Sequence, residues 1–440
     1  MSDTNGHSAI RLGPHPDRYF DRGALLVATL AEDIIGMGPL AEGIDDIVWS
    51  YAGGVWSPDK HAVRTRAALL LGERYRRGHG TNTEDVVRAR SPRISCDPVT
   101  EAINFRNGLY YWQADQLRPH TPEVMSTVQL ASSYDPDATC PEFEKFLLEV
   151  IPADMVDLMW ELLGYLLYSG NPLHKAVMLM GSGRNGKGTL LRVVNALLGE
   201  HNVTSVSLHD LVNVRFSTAS LFGKIANIAG DIDGTYLEST ATFKAITGQD
   251  LISAEHKGRD RFDFTPWAVP VFSANKIPAS SDVTTGYLSR WLVIPFPNDF
   301  TGREDRTLDS RLHTKAELAG IAAQAMPALR RLMARGDFEL AESAQQARDE
   351  FARRVDQVRT WADECCDFDI AHPFVLGTRL YQAYKVWADR DGHKAVKAGE
   401  FYDRLDSLPG CRRTRRGDKG DRGFVGVKVN DTAEEPRGWH

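Results

Sequence analysis

Residues 172–191 read PLHKAVMLMGSGRNGKGTLL, and this stretch decides the fold. The apolar run 176–180 predicts a buried strand, and apolar residues at helical spacing follow over 189–198. A glycine-rich loop that ends in a lysine lies between them. This is the context of a phosphate-binding loop, because glycines let backbone N–H groups approach phosphates and the helix N-terminus adds positive potential. The residues that we expect to bind a nucleotide phosphate are Gly181, Ser182, Gly183, Arg184, Asn185, Gly186, Lys187, Gly188 and Thr189.

The residue after the lysine is unusual for such a loop. Gly188 stands where a serine or threonine hydroxyl commonly ligates Mg²⁺, and the hydroxyl comes one position later, at Thr189. One residue turns about 100° on a helix, so Thr189 can reach the metal only if the loop is shifted. The competing interpretation of the whole stretch is a glycine-rich turn between a strand and a helix, without a ligand.

The composition predicts a protein of two or three domains. The chain has 440 residues, of which 42% are hydrophobic and 25% charged, with a formal net charge of −7. This charge argues against a protein that coats nucleic acid with its whole surface, but it is compatible with local basic loops. No apolar run is long enough for a transmembrane helix, and the N-terminus has no apolar signal core. The five cysteines form no zinc or disulfide pattern, so we expect a reducing cytoplasm.

Polar side chains end two further apolar runs. The run 224–233 predicts a second buried strand, and its Asp231 could hold Mg²⁺ through water. The run 267–273 predicts a third strand, followed by Asn275, where a polar side chain could sense the terminal phosphate. The candidates for orienting an attacking water are Asp233 and Glu238. The alternative is that these acids cap the next helix.

Basic residues suggest two further contacts. The stretch 243–262 contains several basic side chains around Gly258, which suits the tip of a loop or hairpin. Arg290 lies just before a fourth apolar run, where an arginine could reach a nucleotide in a neighbouring subunit, as arginine fingers do. The alternative for each basic residue is a surface ion pair. The candidates for contact with a DNA backbone in this stretch are His256, Lys257 and Arg259.

The N-terminal flank contains hairpin and helix signals. Its aromatic residues are expected in the core, with a base-stacking surface as the alternative, and its arginine-rich helix is expected to be solvated, with a DNA contact as the alternative. The predicted elements are a helix at 23–35, a hairpin at 47–56 turning at Gly53-Gly54, an arginine-rich helix at 62–77, a hairpin at 103–112 turning at Asn107-Gly108, and two helices at 141–168 broken at Pro152.

The C-terminal flank predicts helices at 341–367, 374–389 and 398–408 and a strand at 423–429. Segment 411–422 holds six basic and two acidic residues, a net charge of +4. Two helices followed by a basic hairpin indicate a winged-helix-like domain, whose arm would grip phosphates with little sequence specificity. The alternative is a solvated basic turn. The candidate DNA-binding residues here are Arg412, Arg413, Arg415 and Arg416.

The order of these motifs resembles the helicase portion of the phage, plasmid and poxvirus primase-helicases, which are superfamily three helicases. The resemblance extends over residues of about 45–430 and includes INFRNGLYYW and YDPDATCPEF upstream of the loop. The six matching motifs are GSGRNGKGT (181–189), KIANIAGDID (224–233), FKAITGQD (243–250), AEHKGRDRFDF (254–264), FSANKIP (272–278) and SRWLVIPF (289–296).

The resemblance implies an α/β protein with an AAA+-like P-loop ATPase core, an α+β N-terminal domain and a C-terminal winged-helix-like domain. It implies that ATP and Mg²⁺ bind at Lys187, Thr189 and Asp231. It further implies that Asn275 senses phosphate, that Arg290 is the finger, and that the Lys257 loop tracks DNA in a ring channel. The implied division is 1–140 for the N-terminal domain, 141–171 for a helical collar, 172–300 for the motor, 301–340 for lid helices and 341–440 for the linker and winged-helix-like domain.

The function that we expect is an ATP-driven ring helicase, hexameric and moving 3′ to 5′ on one DNA strand, for replication of a phage or mobile element in a bacterial cytoplasm. Its partners would be single-stranded DNA in the channel, duplex at a fork or origin, other copies of the chain, and a separate primase or other replisome proteins, with no membrane. One alternative is a DNA-binding replication initiator with weak ATPase, favoured by Gly188 and the basic tail. A minor alternative is a primase, for which the N-terminal residues offer no convincing carboxylate and histidine constellation.

Overall fold

The computed structural model describes residues 15–430, apart from Asp45, Asp233, Thr235, His256, Arg259, Ser281, Gly392, His393, residues 417–419 and the side chain of Asp231. The chain divides into two compact units, one ending at Leu130 and the other beginning at Ala131.

The first unit combines a helical layer with small antiparallel sheets. Strands β3–β5 form one three-stranded sheet and β6–β8 another, while β1 pairs with β2. Its elements are β1 (Phe20–Asp21), β2 (Ala24–Leu25), α1 (Val27–Gly36), β3 (Leu40–Glu42), β4 (Val48–Ala52), β5 (Val55–Pro58), α2 (Ala62–Leu71), α3 (Arg77–Arg90), β6 (Ile103–Phe105), β7 (Gly108–Tyr111) and β8 (Gln116–Arg118).

Both predicted hairpins form, but one turns at a different dipeptide. Gly53 and Gly54 join β4 to β5 with positive φ angles of 62° and 95°. Between β6 and β7, Phe105 pairs with Gly108, so Arg106-Asn107 makes the turn and the prediction of Asn107-Gly108 was wrong by one residue. A Cβ on Gly108 would lie 2.6 Å from the carbonyl oxygen of Arg118, so this glycine is required by the close approach of β8. The hairpin aromatics Trp56 and Tyr110 are buried, as expected for a core.

Two predicted helices of this unit have different bounds. The helix predicted at 23–35 begins only at Val27, because Ala24 and Leu25 pair with β1. The arginine-rich helix predicted at 62–77 ends at Leu71, where Gly72 adopts a φ of +52° that a helix does not allow. A separate helix, α3, then begins at Arg77.

The centre of the second unit is a parallel five-stranded sheet with helices around it. Its elements up to the last of these strands are α4 (Pro141–Val150), α5 (Val156–Leu167), β9 (Ala176–Met180), α6 (Lys187–Leu198), β10 (Val203–Thr204), α7 (Leu208–Asn213), β11 (Ala226–Ile232), α8 (Ala241–Gly248), β12 (Ile252–Glu255), β13 (Arg261–Phe264), β14 (Val269–Ala274), α9 (Thr285–Leu288) and β15 (Trp291–Pro295). Strands β12 and β13 form a separate antiparallel hairpin.

The strand order of the sheet is β10-β11-β14-β9-β15. Strand β9 is therefore flanked by β14 and β15, and Met180 at its carboxyl end lies beside Ala274 and Pro295. Loops that follow these strands meet at one edge, which is where open parallel sheets bind ligands. The four main strands read as continuous apolar runs because both faces of the sheet are covered.

The rest of the second unit packs against this sheet and then forms a smaller module. Its elements are α10 (Leu308–Leu312), α11 (Lys315–Arg335), α12 (Glu342–Val355), α13 (Gln357–Cys365), β16 (Cys366–Phe368), β17 (Val375–Leu376), α14 (Gly377–Arg390), α15 (Ala398–Asp406), β18 (Arg412–Arg416), β19 (Asp421–Val425) and β20 (Val427–Val429). Helix α11 packs closely on α5, since a Cβ on Gly164 would lie 2.5 Å from the carbonyl oxygen of Ala325.

Two predictions for the C-terminal flank need correction. The single helix predicted at 341–367 is broken at Asp356, whose extended backbone and carboxylate cap the N-terminus of α13 by accepting from the N–H groups of Val358 and Arg359. The strand predicted at 423–429 is two strands, because Gly426 adopts a φ of +83° and redirects the chain from β19 to β20. The two helices predicted after residue 374 and the basic hairpin form, the latter as β18 and β19.

Candidate functional site

The glycine-rich loop connects β9 to α6 at the carboxyl edge of the sheet. Its backbone turns through positive φ angles at Gly183 (+109°), Arg184 (+43°) and Gly186 (+93°). Lys187 is the first residue of α6, two positions before the predicted start of that helix. The backbone N–H groups of the first helical turn have no partner within the helix, so they are available to an anion at this point.

The side chain of Lys187 is buried within the loop, with only 5% of the residue exposed. Its Nζ donates to the carbonyl oxygen of Gly181 at 2.7 Å, to Oδ1 of Asn185 at 3.1 Å and to Oδ1 of Asn275 at 3.2 Å. Asn275 is brought here because it follows β14, the neighbour of β9 in the sheet. The structure therefore brings together Lys187 and Asn275, two candidates that are 88 residues apart in the sequence.

Close packing explains two of the loop glycines. A Cβ on Gly181 would lie 2.0 Å from Nδ2 of Asn185, which itself donates to the carbonyl oxygen of Phe296 at 3.3 Å. A Cβ on Gly186 would lie 2.6 Å from Cγ1 of Val150 in α4. The loop is thus supported by the end of β15 on one side and by α4 on the other.

A cavity of about 690 Å³ lies beside the loop. The segment 300–308 forms one of its walls. Arg184 joins this segment to the loop, since its guanidinium donates to Glu304 at 2.9 Å and its carbonyl oxygen accepts from the N–H of Phe300 at 2.9 Å. The charged residues that line the cavity are Glu149, Arg184, Arg192, Arg303, Glu304, Asp305 and Arg306. This wall was not predicted from the sequence, although the dense charges of TGREDR (301–306), shortly after the fourth predicted strand, were a signal.

The first turn of α6 shows how the unusual Gly188 is accommodated. Gly188 is exposed, while Thr189 is half-buried and lines the cavity. The hydroxyl of Thr189 accepts from Nη2 of Arg192 at 3.1 Å. The described residues contain no group of three or more histidine, cysteine or acidic side chains that could hold a metal by themselves. A nucleotide-bound Mg²⁺ needs no such group, because it takes most of its ligands from phosphates and water.

The second strand reaches the same edge. Ile232 pairs with Ala274, and the register of β11 shifts between Ala229 and Ile232, so the backbone of Asp231 lies within this irregular stretch of the strand. The side chain of Asp231 and the whole of Asp233 lie outside the part of the chain that the structure describes. Glu238, the other candidate for orienting water, is exposed and forms an ion pair with Lys394 at 2.5 Å.

Asp282 is a carboxylate that accepts hydrogen bonds from three side chains, and it was not predicted from the sequence. It accepts from Lys244 at 2.8 Å, from Thr240 at 2.6 Å and from the hydroxyl of Thr284 at 2.6 Å. Burial opposes ionisation of Asp282, but these hydrogen bonds outweigh that effect and hold its pKa well below the usual range. Because Ser280, two residues earlier, pairs with Leu237, this ion pair stabilises the loops that follow β11 and β14.

Arg290 lies at the opposite edge of the sheet from Lys187. It directly precedes β15, and Trp291 pairs with Ala176 at the amino end of β9, whereas Lys187 follows the carboxyl end of β9. Its Nη1 donates to Oγ1 of Thr247 at 2.9 Å and its Nε donates to the carbonyl oxygen of Gly286 at 3.0 Å. The structure therefore does not bring Arg290 to the glycine-rich loop of its own chain.

The hairpin of β12 and β13 forms as predicted, with Lys257 and Gly258 exposed at its turn. Hydrogen bonds from Arg215 and Arg261 hold Glu255 at the end of β12 and lower its pKa. His256 and Arg259 lie outside the described residues, so Lys257 is the one candidate of this group that can be placed.

The C-terminal arginines are exposed on β18, but they differ in their partners. Arg413 donates to Asp403 at 3.0 Å and lies over the ring of Tyr402. Arg415 pairs in register with Arg422 on β19, so two like charges lie directly opposite each other. Arg416 lies over the ring of Phe374. Arg412 is exposed opposite Val425.

Two families match the chain. The family described as "D5 N terminal like" matches residues 43–152, and the one described as "Family of unknown function (DUF5906)" matches residues 179–290, which include Lys187, Asp231, Asn275 and Arg290. With the relatives described next, these matches confirm the resemblance to the viral and phage primase-helicases.

Two viral proteins are similar in sequence to part of this chain. A protein of Acanthamoeba polyphaga mimivirus named "Putative helicase" is 26% identical over 219 residues, which are 47% of this chain and 22% of that protein. A protein of the same designation from Invertebrate iridescent virus 3 is 22% identical over 46% of this chain and 23% of its own length. The chain thus aligns with about a quarter of the length of these relatives.

The C-terminal region of NrS-1 in an apo form has a TM-score of 0.52 at 11% identity, covering 91% of this chain and 100% of that structure. This likeness shows a shared mixed α/β fold with a parallel sheet. In the part of the chain that the structure describes, no helix is both long and apolar enough to cross a membrane.

Proposed function

We propose that this chain is the ATP-driven motor of a DNA helicase for viral or phage replication. The observation that carries the proposal is the position of Lys187, whose amino group lies among Gly181, Asn185 and Asn275 at the carboxyl edge of a parallel sheet. Numbered along the chain, the five parallel strands lie in the order 5-1-4-3-2. This order, with the loop after strand 1 and a polar residue after strand 4, supports a P-loop core of the AAA+ type.

The residues at this edge fit a nucleoside triphosphate and Mg²⁺. Glycines 181 and 183 open the loop to a close approach by phosphates, and nothing lies within 4 Å of the place where a Cβ of Gly183 would stand. Lys187 would exchange its carbonyl and amide acceptors for phosphate oxygens, which attract an ammonium more strongly. Thr189 and Asp231 are the residues that would hold Mg²⁺, and the metal would supply charge neutralisation of the phosphates.

The residues that would act on the terminal phosphate and the attacking water come from different parts of the chain. Asn275, already 3.2 Å from Lys187, would orient the terminal phosphate or the attacking water from the end of β14. Asp233 is a further candidate for orienting this water. Arg290, at the other edge of the sheet, would serve the phosphate loop of a neighbouring copy, which supports a head-to-tail ring and, in this family, a hexamer. The hydrogen bonds of Arg290 to Thr247 and Gly286 would position it for this contact.

Basic elements would contact DNA. The exposed turn at Lys257, with His256 and Arg259 beside it in the sequence, would hold the phosphates of one strand while the ring moves 3′ to 5′ along it. The order β17-β19-β18, together with α13, α14 and α15, supports a winged-helix-like module. Opposed like charges at Arg415 and Arg422 cost stability, so a phosphate between them would be favourable. Arg412, Arg413 and Arg416 are the other wing candidates for duplex at a fork or origin.

The test is ATP hydrolysis and unwinding of a 3′-tailed duplex by wild type and by Lys187→Ala, with and without single-stranded DNA. Lys315→Ala is a matched control, because Lys315 is also the first residue of a helix, α11, but is exposed. We expect DNA-stimulated hydrolysis and strand release in wild type and in the control, and neither in Lys187→Ala. Activity that survives in Lys187→Ala would refute the proposal. A 5′-tailed substrate tests the polarity.

A replication initiator is the second candidate, favoured by the exposed arginines of β18 and by Gly188. It predicts tight binding to one duplex sequence that survives Lys187→Ala, with little hydrolysis in wild type. Competition between specific and random duplexes at fixed salt separates the two functions, because phosphate contacts alone carry no sequence information. The helicase proposal also includes a bacterial host, the cytoplasm as the location, and a separate primase as a partner.

A further inference from the structure

The side chain of Arg192 packs beside Gly188 on the surface of α6. Nη1 of Arg192 lies 3.4 Å from the place where a Cβ of Gly188 would stand, and Nη2 of the same residue lies 3.1 Å from Oγ1 of Thr189. Arg192 follows Gly188 by four residues and Thr189 by three, which is the spacing of neighbours on a helix surface. The guanidinium thus lies over the first turn of α6, next to the phosphate loop.

The bonds of Arg192 leave donors for a ligand. Both of its hydrogen bonds among the described residues come from Nη2, to Thr189 and to Asp309 on α10. A guanidinium has five N–H donors, and Nη1 and Nε make no hydrogen bond to the described residues. The side chain is 53% exposed and lines the cavity beside the loop, so its free edge is accessible from the place where we expect the nucleotide.

We propose that Arg192 binds the phosphates of the nucleotide from within the same chain and supplies part of the positive charge that Mg²⁺ supplies in loops with a hydroxyl after the lysine. This inference rests on the proposed nucleotide site. A guanidinium suits the role because it is always charged and can donate two parallel hydrogen bonds to one phosphate. Asp309 forms an ion pair with Nη2 at 2.9 Å, which leaves Nη1 and Nε for the phosphates.

The competing explanation is a surface ion pair that only joins α6 to α10. Partly exposed pairs of this kind contribute little to stability. The two explanations predict different nucleotide binding by Asp309→Asn, a variant that breaks the ion pair but keeps the guanidinium. If Arg192 binds phosphate, its removal weakens nucleotide binding and the removal of Asp309 does not. If Arg192 acts only through the ion pair, both variants have the same effect.

The experiment is binding of a fluorescent, non-hydrolysable ATP analogue, followed by polarisation, in Mg²⁺ and in EDTA. In wild type we expect EDTA to weaken binding by less than about threefold. In Arg192→Gln we expect binding in EDTA to be about tenfold weaker than in wild type, and we expect a smaller loss in Mg²⁺. The tenfold loss is at the lower end of the range for a charge-assisted hydrogen bond, because the guanidinium is half exposed. Gly188→Ser, which restores the usual hydroxyl, should make binding depend more strongly on Mg²⁺.

Each control has a distinct consequence. Arg331→Gln, a change of an exposed arginine on α11, should bind as wild type does. Lys187→Ala should lose binding in both conditions, and if it does not, the proposed nucleotide site is wrong. If Lys187→Ala loses binding but Arg192→Gln binds as wild type does in EDTA, or Asp309→Asn reproduces the loss in Arg192→Gln, only the inference about Arg192 is overturned. A loss of more than about tenfold for wild type in EDTA overturns it as well.

Discussion

The contact between the glycine-rich loop and α4 predicts a specific coupling between two residues. Gly186 has a φ of +93°, and a Cβ there would lie 2.6 Å from Cγ1 of Val150 and 3.3 Å from Cε2 of Phe146. Carbon atoms pack at about 3.5–4.0 Å, so the Gly186→Ala methyl group must displace α4 or the loop. Gly183 offers the matched control, since its φ is also positive, at +109°, but no atom lies within 4 Å of its Cβ position.

The magnitudes follow from these two contributions. A positive φ costs a non-glycine residue about 1–2 kcal/mol, and this is the whole expected effect of Gly183→Ala. Overpacking adds about 1–3 kcal/mol at Gly186, which gives about 2–5 kcal/mol for Gly186→Ala. Val150→Ala alone removes two buried methyl groups and costs about 2 kcal/mol. The double variant removes the clash, so its loss should be about 1–2 kcal/mol smaller than the sum of the two single losses.

Urea unfolding followed by tryptophan fluorescence measures these free energies, and hydrogen exchange shows whether the loss is confined to α4 and α6. Gly183→Ala combined with Val150→Ala should be additive within about 0.5 kcal/mol, because no contact joins these positions. Additivity for Gly186→Ala with Val150→Ala would refute the reasoning. It would mean that the loop does not rest against α4 in the folded protein.

Three further predictions test other parts of the chain. Arg415→Gln should weaken binding to duplex DNA by about three- to tenfold and lower its salt dependence, whereas the matched Arg413→Gln, whose guanidinium is held by Asp403, should have a smaller effect; equal effects in a salt titration would contradict this difference. Asp282→Asn should lower the free energy of unfolding by about 1–3 kcal/mol at pH 7. Because the folded pKa of Asp282 is lowered, its stabilisation is complete above the ordinary value of about 3.9 and is lost as the pH falls below it, so acid unfolding curves of the two proteins should converge there. Burial raises the pKa of Cys140 and of Cys411 to about 12, so iodoacetamide at pH 8 should modify them at least about a hundredfold more slowly in the native protein than in guanidinium chloride, and rapid native labelling would contradict their burial.

Four of the five strands of the central sheet were predictable because they are apolar runs buried on both faces, whereas the short edge strand β10 was not predicted. The runs that begin at 176, 224, 267 and 291 in the sequence each became a parallel strand, with bounds shifted by no more than two residues. Polar residues directly after such runs meet at one sheet edge, which is why Asn275 was correctly expected near Lys187. Both predictions depend on local patterns that a single sequence contains.

The errors and omissions depend on contacts between distant residues. The turn at Arg106-Asn107 is set by the approach of β8 to Gly108, not by the tendency of Asn-Gly to turn. The helix predicted at 341–367 is broken because Asp356 caps α13. The apolar residues keep a helical spacing on both sides of the cap, so the sequence pattern predicted one helix. The place of Arg192 over Gly188 required the helix geometry and Asp309, which is 117 residues away. The sequence indicated that Gly188 was unusual but not which residue packs beside it.

The positions of Lys187 and Arg290 at opposite edges of one sheet give the candidate site a further property. Strand β9 leads from the level of Arg290, beside Ala176, to the loop that holds Lys187, so a rigid sheet keeps the two side chains apart within one chain. If both residues take part in one reaction, each site must form between two copies of the chain. One copy then supplies Lys187 and its neighbour supplies Arg290. A mixture of Lys187→Ala and Arg290→Ala proteins should then regain hydrolysis that each lacks alone, because some neighbouring pairs combine an intact Lys187 with an intact Arg290. Recovery after mixing cannot be explained by an Arg290 that only stabilises its own protomer through Thr247.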